Sequence, residues 1–224
     1  MKRKDMILVV SLDLFNHLGQ SNVTSVDIAN ELDISPGNLY YHFKGKEEII
    51  NALVQRFAME IDTLLATVKQ MDSNLLVRWV MIYFFMEAVY RNRFFFRGIA
   101  DISYNFPDAG KQLSRILDQL REMFTSSLVM LAENEEINIS PVQKNLIAKL
   151  VKSIMLVVIY WESYLLLNRQ TMSENEFIQD ASLQILSVIS PYLNEDQIRD
   201  IHQLHQQYLR DKIVSPVLGK NTTS

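Results

Sequence analysis

The chain has no cysteine. That excludes a disulfide framework and any thiolate-ligated metal centre, and it fits a reducing cytosol. Glycine and proline are scarce, 6 and 5 in 224 residues, too few for a turn-rich β protein. No apolar run reaches the roughly 20 residues that a helix needs to cross a bilayer. The longest, S-I-M-L-V-V-I-Y-W-E-S-Y-L-L-L, lies between Lys152 and Asn168 and is interrupted by Glu162; a buried helix is expected there. The opening M-K-R-K-D is a basic arm rather than a secretory signal, because Ser11 and Asp13 break the apolar stretch behind it and no small-residue cleavage site follows. Positive charge is not in excess either. The net charge is −4, and in the first fifty residues Lys2, Arg3, Lys4, Lys44 and Lys46 are outnumbered by Asp5, Asp13, Asp27, Glu31, Asp33, Glu47 and Glu48. Bulk electrostatics makes no case for nucleic acid, so any such case rests on where the charges stand.

Catalytic signatures are missing as well. There is no G-x-S-x-G, no H-E-x-x-H and no glycine-rich phosphate loop. The four histidines, His17, His42, His202 and His205, are scattered except for the last pair. Their i, i+3 spacing is half of a metal site, with no acid motif to complete it. No catalytic residue, metal or cofactor is expected.

What the chain does have is helical periodicity. Hydrophobic residues make up 48%, and they recur at spacings of three and four. Ile7, Val10, Leu14 and Leu18, with Leu8 and Phe15 beside them, predict a first helix stopped at Gly19. A long helix is expected from Glu47-Glu48 through Ile49, Leu53, Phe57, Ile61 and Leu64, its acids suiting the positive end of the macrodipole. The next, capped by Asp72 or Ser73 and ending near Arg91, is apolar on nearly every side and therefore central. A short helix precedes a break at Asn105 to Pro107. Leu113 to Leu131 marks another amphipathic helix, Ser140-Pro141 opens the apolar one, Ser173 starts one that runs to Pro191, and a last begins at Asn194 or Glu195. The fold class is all-α: a head of residues 1–46, a larger helical body of 47–211, and a tail of 212–224 expected to be disordered.

The most informative stretch is Val23 to Lys46. Thr24 can cap a short helix, with Asp27 reaching back three residues later as a capping box. Ile28, Ala29 and Leu32 share one face, Asp33-Ile34 makes a turn, and Ser35 caps a second helix with Pro36 at its first position. Leu39 and Phe43 anchor that second helix, which leaves Gly37, Asn38, Tyr40, Tyr41 and His42 for other surfaces. From Ser35 to Lys46 there is no acid. This is a helix-turn-helix, whose second helix enters the DNA major groove.

S-P-G-N-L-Y-Y-H-F-K-G-K resembles the recognition-helix signature of the tetracycline-repressor (TetR) family of bacterial transcription regulators. The family pattern, roughly T-x-x-x-I-A-x-x-x-G-V-S-x-G-x-L-Y-x-H-F-x-x-K, is met at Thr24, Ile28, Ala29, Ser35, Gly37, Leu39, Tyr40, His42, Phe43 and Lys46. Two positions depart from it: Asp33 stands where glycine is usual, and Val26 where some members place a base-contacting side chain. The resemblance covers about the first fifty residues and is one of architecture beyond them. It implies a homodimeric, cytoplasmic repressor that is released from a double-stranded DNA operator by a small molecule. The DNA-contacting set is then Thr24, Ser25, Pro36, Gly37, Asn38, Tyr40, Tyr41, His42 and Lys46, with His42 and Lys46 on phosphates and Asn38 and Tyr40 at base edges.

For the body the sequence offers candidates only. Glu87, Arg97 and Glu162 lie inside apolar stretches, where a charge needs an internal partner or a ligand. An apolar ligand is expected against Tyr83, Phe84, Glu87, Phe124, Ile159 and Glu162, its charge left open by the mixture of acids and Arg97. A dimer surface is expected between Val142 and Pro191, with Phe177, Ile185 and Val188 facing outward. Two other readings stand beside the regulator: a helical ligand-binding or scaffold protein without DNA binding, and a lipid-handling enzyme built on a helical bundle.

Overall fold

The computed structural model describes residues 2–70, 74–140 and 142–214, with side chains as far as Tyr208. Among the described residues every regular element is helical. The head comprises α1 (Arg3–Leu18), α2 (Ser25–Glu31) and α3 (Pro36–His42). α4 (Lys46–Gln70) leads out of it into the body, formed by α5 (Leu75–Arg91), α6 (Arg93–Arg97), α7 (Ile99–Asn105), α8 (Pro107–Glu133), α9 (Lys144–Leu167), α10 (Glu174–Ile189) and α11 (Glu195–Val214).

Local chemistry sets most of the boundaries. Gly19 (φ 81°) ends α1 by returning its N–H to Phe15 O at 3.0 Å. The buried face of α1 is Ile7, Leu8, Ser11 and Phe15, so Leu18 points into solvent rather than continuing the apolar row. α5 is capped by Asn74, whose Oδ1 accepts from Val77 N–H at 2.9 Å; Asp72 and Ser73, the expected caps, lie outside the described residues. Gly98 divides the expected short helix into α6 and α7. α9 begins at Lys144, later than the Ser140-Pro141 signal, and Pro141 is outside the described residues. Reciprocal Asn194 and Gln197 bonds of 2.9 and 3.0 Å open α11, which runs past Asp211 to Val214; the remainder of the expected tail, 215–224, lies outside the described residues.

α5 is the centre of the body. Its buried residues, among them Leu75, Trp79, Met81, Tyr83, Phe85, Met86 and Val89, face several sides, and it packs against α4, α10 and α11. α8 lies along α4, α7 and α9. At the α7–α8 crossing Gly110 is indispensable, since a Cβ there would stand 2.8 Å from Ser103 Cα. α9 is long and apolar enough by composition to cross a membrane, yet Ile147, Leu150, Val151, Ile154, Val158 and Leu165 are buried against α6, α8 and α10. Removing side chains of that size from water is worth about 1.5–3 kcal/mol each.

Candidate nucleic-acid interface

The helix-turn-helix is built as its caps require. Thr24 Oγ1 accepts from Asp27 N–H at 3.2 Å and donates to Asp27 Oδ2 at 2.7 Å, while Thr24 N–H reaches the same oxygen at 2.8 Å. The Thr24 hydroxyl first, and its N–H second, hold the Asp27 carboxylate below its ordinary range. The Thr24 hydroxyl is therefore already engaged, although the residue is exposed. Asp33 takes a left-handed conformation (φ 50°) between the helices, and Ser35 Oγ accepts from Asn38 N–H at 3.1 Å to start α3. Ile28, Ala29, Leu39 and Phe43 are buried together with α1.

That packing turns the remainder of α3 outward. Pro36, Gly37, Asn38, Tyr40 and Tyr41 are exposed and His42 is half-buried, its ring edge-on to Tyr41 at 5.1 Å. The Asn38 amide and the Tyr40 and Tyr41 hydroxyls have no hydrogen-bond partner among the described residues. Space beside Gly37 is open too: the nearest atom to an added Cβ would be Ser35 Oγ at 3.9 Å. No carboxylate stands on α3, and the exposed Lys44 follows its last turn. Lys4 of the basic arm lies 5.0 Å above the Phe43 ring, bringing the arm to the same end of the helix. An exposed helix with polar tips, free of acid and edged by lysines, is what a DNA groove requires.

Residues 7–53 match the family of bacterial regulatory proteins called the tetR family, and residues 56–201 match the TetR family of bacterial transcriptional repressors. The chain belongs to the TetR family. A TetR-family transcriptional regulator from Marinobacter aquaeolei VT8 is similar to it at 27% identity and a TM-score of 0.80, over 93% of this chain and 99% of that one. Two more distant structures share the fold. The ketosteroid transcriptional regulator KstR2 of Mycobacterium tuberculosis has 17% identity and a TM-score of 0.66, over 87% of this chain and 96% of that one. The TetR-family regulator PfmR of Thermus thermophilus has 17% identity and a TM-score of 0.61, over 82% and 97%. The protein is thus a TetR-type transcriptional regulator with a helix-turn-helix head, a family that binds DNA operators and small molecules and dimerises.

Within this TetR fold one expected contact changes its role. Lys46 does not extend towards the α3 surface: its ammonium donates to Gln20 O at 2.8 Å and Val23 O at 3.2 Å, closing the loop between α1 and α2. Burial lowers its pKa and the Asp101 carboxylate partly offsets this. Asp101 also accepts from Gln20 Nε2 at 2.7 Å. The body thereby grips the head at a second joint beside α4. A third is stronger. Asn16, near the end of α1, donates to Arg91 O at 2.8 Å and accepts from Phe94 N–H at 3.0 Å, and Arg97 donates to Asn16 O while pairing with Glu162 at 2.7 Å. Nothing in the spacing of Asn16, Gln20 and Asp101 marks a pairing across some 80 positions.

The expected ligand residues do not converge. Tyr83 is buried, its hydroxyl accepting from Trp79 Nε1 at 3.0 Å and meeting His205 Nδ1 at 3.0 Å; burial raises its pKa to about 12. Glu87 bonds Tyr208 and Arg91, Glu162 bonds Arg97, Phe84 is 39% exposed and Ile159 is half-buried. Phe124 alone of the six lines the body's apolar cavity, with Val68, Trp79, Met81, Phe85, Met123, Leu128, Leu131, Ile154, Ile185 and Ile189 around it. The buried charges are thus internal pairs. The dimer candidates need correcting in the same way: Phe177 and Ile185 are 1% exposed and face the core, Phe177 against Tyr90 at 5.2 Å, and Val188 is half-buried. Within the expected dimer stretch, a row of apolar side chains does face out on α9, where Leu156, Tyr160, Tyr164 and Leu167 follow one another at helical spacing.

Proposed function

We propose that the protein is a homodimeric, cytoplasmic repressor whose two heads, residues 1–46, read a palindromic operator and whose bodies, 47–211, dimerise and take up a small apolar ligand. The observation that carries this reading is the surface of α3, whose Asn38, Tyr40 and Tyr41 tips are exposed and unpaired within the protomer. One helix of seven residues touches few bases, so two heads about 34–36 Å apart supply the selectivity. The α9 stripe of Leu156, Tyr160, Tyr164 and Leu167 supports a second copy as its cover, since an apolar row of that length is otherwise left in water. Ligand release needs a preference of about 5.5 kcal/mol for the DNA-free conformation to switch the population almost completely. α4 is the lever, because it begins at Lys46, where the head ends, and carries Val68 at the cavity.

Selection of DNA fragments by the purified protein, followed by sequencing, is expected to return a palindrome with half-sites one helical turn apart. On that operator Tyr40→Ala should lose about tenfold or more in affinity, with a smaller loss on random DNA. Tyr160→Asp should convert the dimer to monomer in sedimentation at micromolar concentration. Equal losses on both DNAs, or a wild-type monomer, would remove the reading.

A further inference from the structure

The apolar cavity has a single charged side chain among its described lining residues, Arg78. Its guanidinium is held at the wall: Nη1 donates to Ser127 Oγ, another lining residue, at 3.0 Å, and Nη2 lies 2.9 Å from Met130 Sδ. Its Nε is buried and has no hydrogen-bond partner. No carboxylate of the described residues forms an ion pair with Arg78. Glu136 attracts it across space and partly offsets the pKa lowering caused by burial, but a Glu136 carboxylate oxygen already accepts from Leu75 N–H at 2.6 Å. A thioether and one hydroxyl are poor company for a guanidinium, which matches the two oxygens of a carboxylate in shape as well as charge.

We propose that the effector is an amphiphilic anion, with an alkyl or fused-ring body among Trp79, Phe85, Phe124, Leu128 and Ile154 and a carboxylate on Arg78. This rests on the reading that the cavity is the effector site. The alternatives fail on chemistry. A cation would meet like charge in a cavity with no acid among its described lining residues, since Glu87 and Glu162 are committed to Arg91 and Arg97. A neutral hydrocarbon would leave the Arg78 Nε without an acceptor. The cavity as it stands, about 50 Å³, is below the roughly 300–1,000 Å³ of an occupied ligand site. The ligand therefore enters by repacking, and the walls suit that. Met81 and Met123 are unbranched and adaptable, and Val68 places the last turns of α4 directly on the expanding face. The group that recognises the acid and the helix that leads to the head thus border one space.

The test uses decanoate, 1-decanol and decylammonium as probes of one chain length with the full-length dimer. Two readouts are followed: the thermal midpoint, and release of a fluorescent operator duplex. Decanoate is expected to bind about ten- to a hundredfold more tightly than decanol, the ratio a charged hydrogen bond confers, and decylammonium to bind least. Arg78→Gln should bring acid and alcohol to equal affinity, and Arg78→Lys should restore part of the acid's advantage. If decanol matches decanoate on the wild type, or Arg78→Gln leaves their ratio unchanged, the anionic class is wrong while the cavity still stands as the ligand site. If none of the three raises the midpoint or releases DNA, both readings fall together.

Discussion

The head leaves open what the body closes. In α3, Tyr40 and Tyr41 stand in solvent, Tyr41 at 85% exposure, and their hydroxyls bond nothing among the described residues. In α5, Tyr83 is wholly buried, its ring stacked 4.5 Å from Tyr208 and its hydroxyl shared between Trp79 and His205. The same contrast holds for glycine. Gly110 is required by the fold, because Ser103 backbone stands where its Cβ would go, whereas nothing among the described residues needs the space beside Gly37. It holds for charge: the ion pairs of Arg97 and Arg91 tie internal elements together, while Lys44 stands exposed beside α3. A group that the protomer itself does not account for is explained by something outside it. In the head that something is DNA, and in the body Arg78, its Nε buried without a partner, is a comparable group.

The largest effect is expected where a body charge that has a partner is removed. Arg97→Met leaves Glu162, 6% exposed, buried without its counter-ion, and also frees Asn16 O at the head joint. It is expected to cost about 3–5 kcal/mol in urea unfolding. The double change Arg97→Met with Glu162→Leu should recover most of that loss, because an apolar pair of similar volume needs no solvation. A cost below about 1 kcal/mol for Arg97→Met would mean that the pair is solvated and adds little to the joint at Asn16.

The two glycines should respond in opposite directions. Gly110→Ala is expected to destabilise by about 1–3 kcal/mol, the usual penalty for overpacking a close helix crossing. Gly37→Ala should do the reverse, raising stability by about 0.5–1 kcal/mol through lost backbone entropy of the unfolded chain, while weakening operator binding. Binding unaffected by Gly37→Ala would show that the α3 surface around it does not approach DNA.

What could be read from the chain beforehand follows the same division. The caps Thr24, Ser35 and Ser173, the left-handed Asp33, and the order of helices are local, written in residues three or four apart. The exposed face of α3 followed from the buried positions Leu39 and Phe43. The body's function resisted because its partners are distant in sequence: Arg97 with Glu162, Glu87 with Tyr208, Gln20 with Asp101. A buried acid in an apolar run looks alike whether a ligand or an arginine sixty residues away neutralises it. For Phe177 and Ile185 the pattern misleads because α9 and α10 are apolar on more than one side, and periodicity alone does not say which side a neighbour covers. Nothing in the sequence marks Arg78, since an arginine in the first turns of a helix normally stands in water.

The smallest expected effect tests the helix ends. α2, α8 and α9 finish with one motif, in which the residue two past the last turn sends its N–H back five positions: Ile34 to Ala29 O at 3.0 Å, Glu136 to Leu131 O at 2.8 Å, and Gln170 to Leu165 O at 2.9 Å. The residue before each must be left-handed, and glycine is the usual occupant. In this glycine-poor chain the three are Asp33 (φ 50°), Glu135 (φ 58°) and Arg169 (φ 55°). Each retains its Cβ crowding against the backbone, which costs about 1–2 kcal/mol for most side chains and less for Asp, whose short side chain tolerates the region. Glycine removes that strain but adds about 0.4–1 kcal/mol of unfolded-chain entropy. The net gain should therefore be graded, about 0.5–1 kcal/mol for Glu135→Gly and Arg169→Gly and close to zero for Asp33→Gly, and additive because the sites do not share partners. Urea midpoints of the three single variants and the triple measure it. Asp33→Gly gaining as much as Arg169→Gly would show that the aspartate is as strained as any other residue. A head that holds its turn at little strain cost needs no glycine there, and operator affinity should be the same for Asp33→Gly and the parent chain.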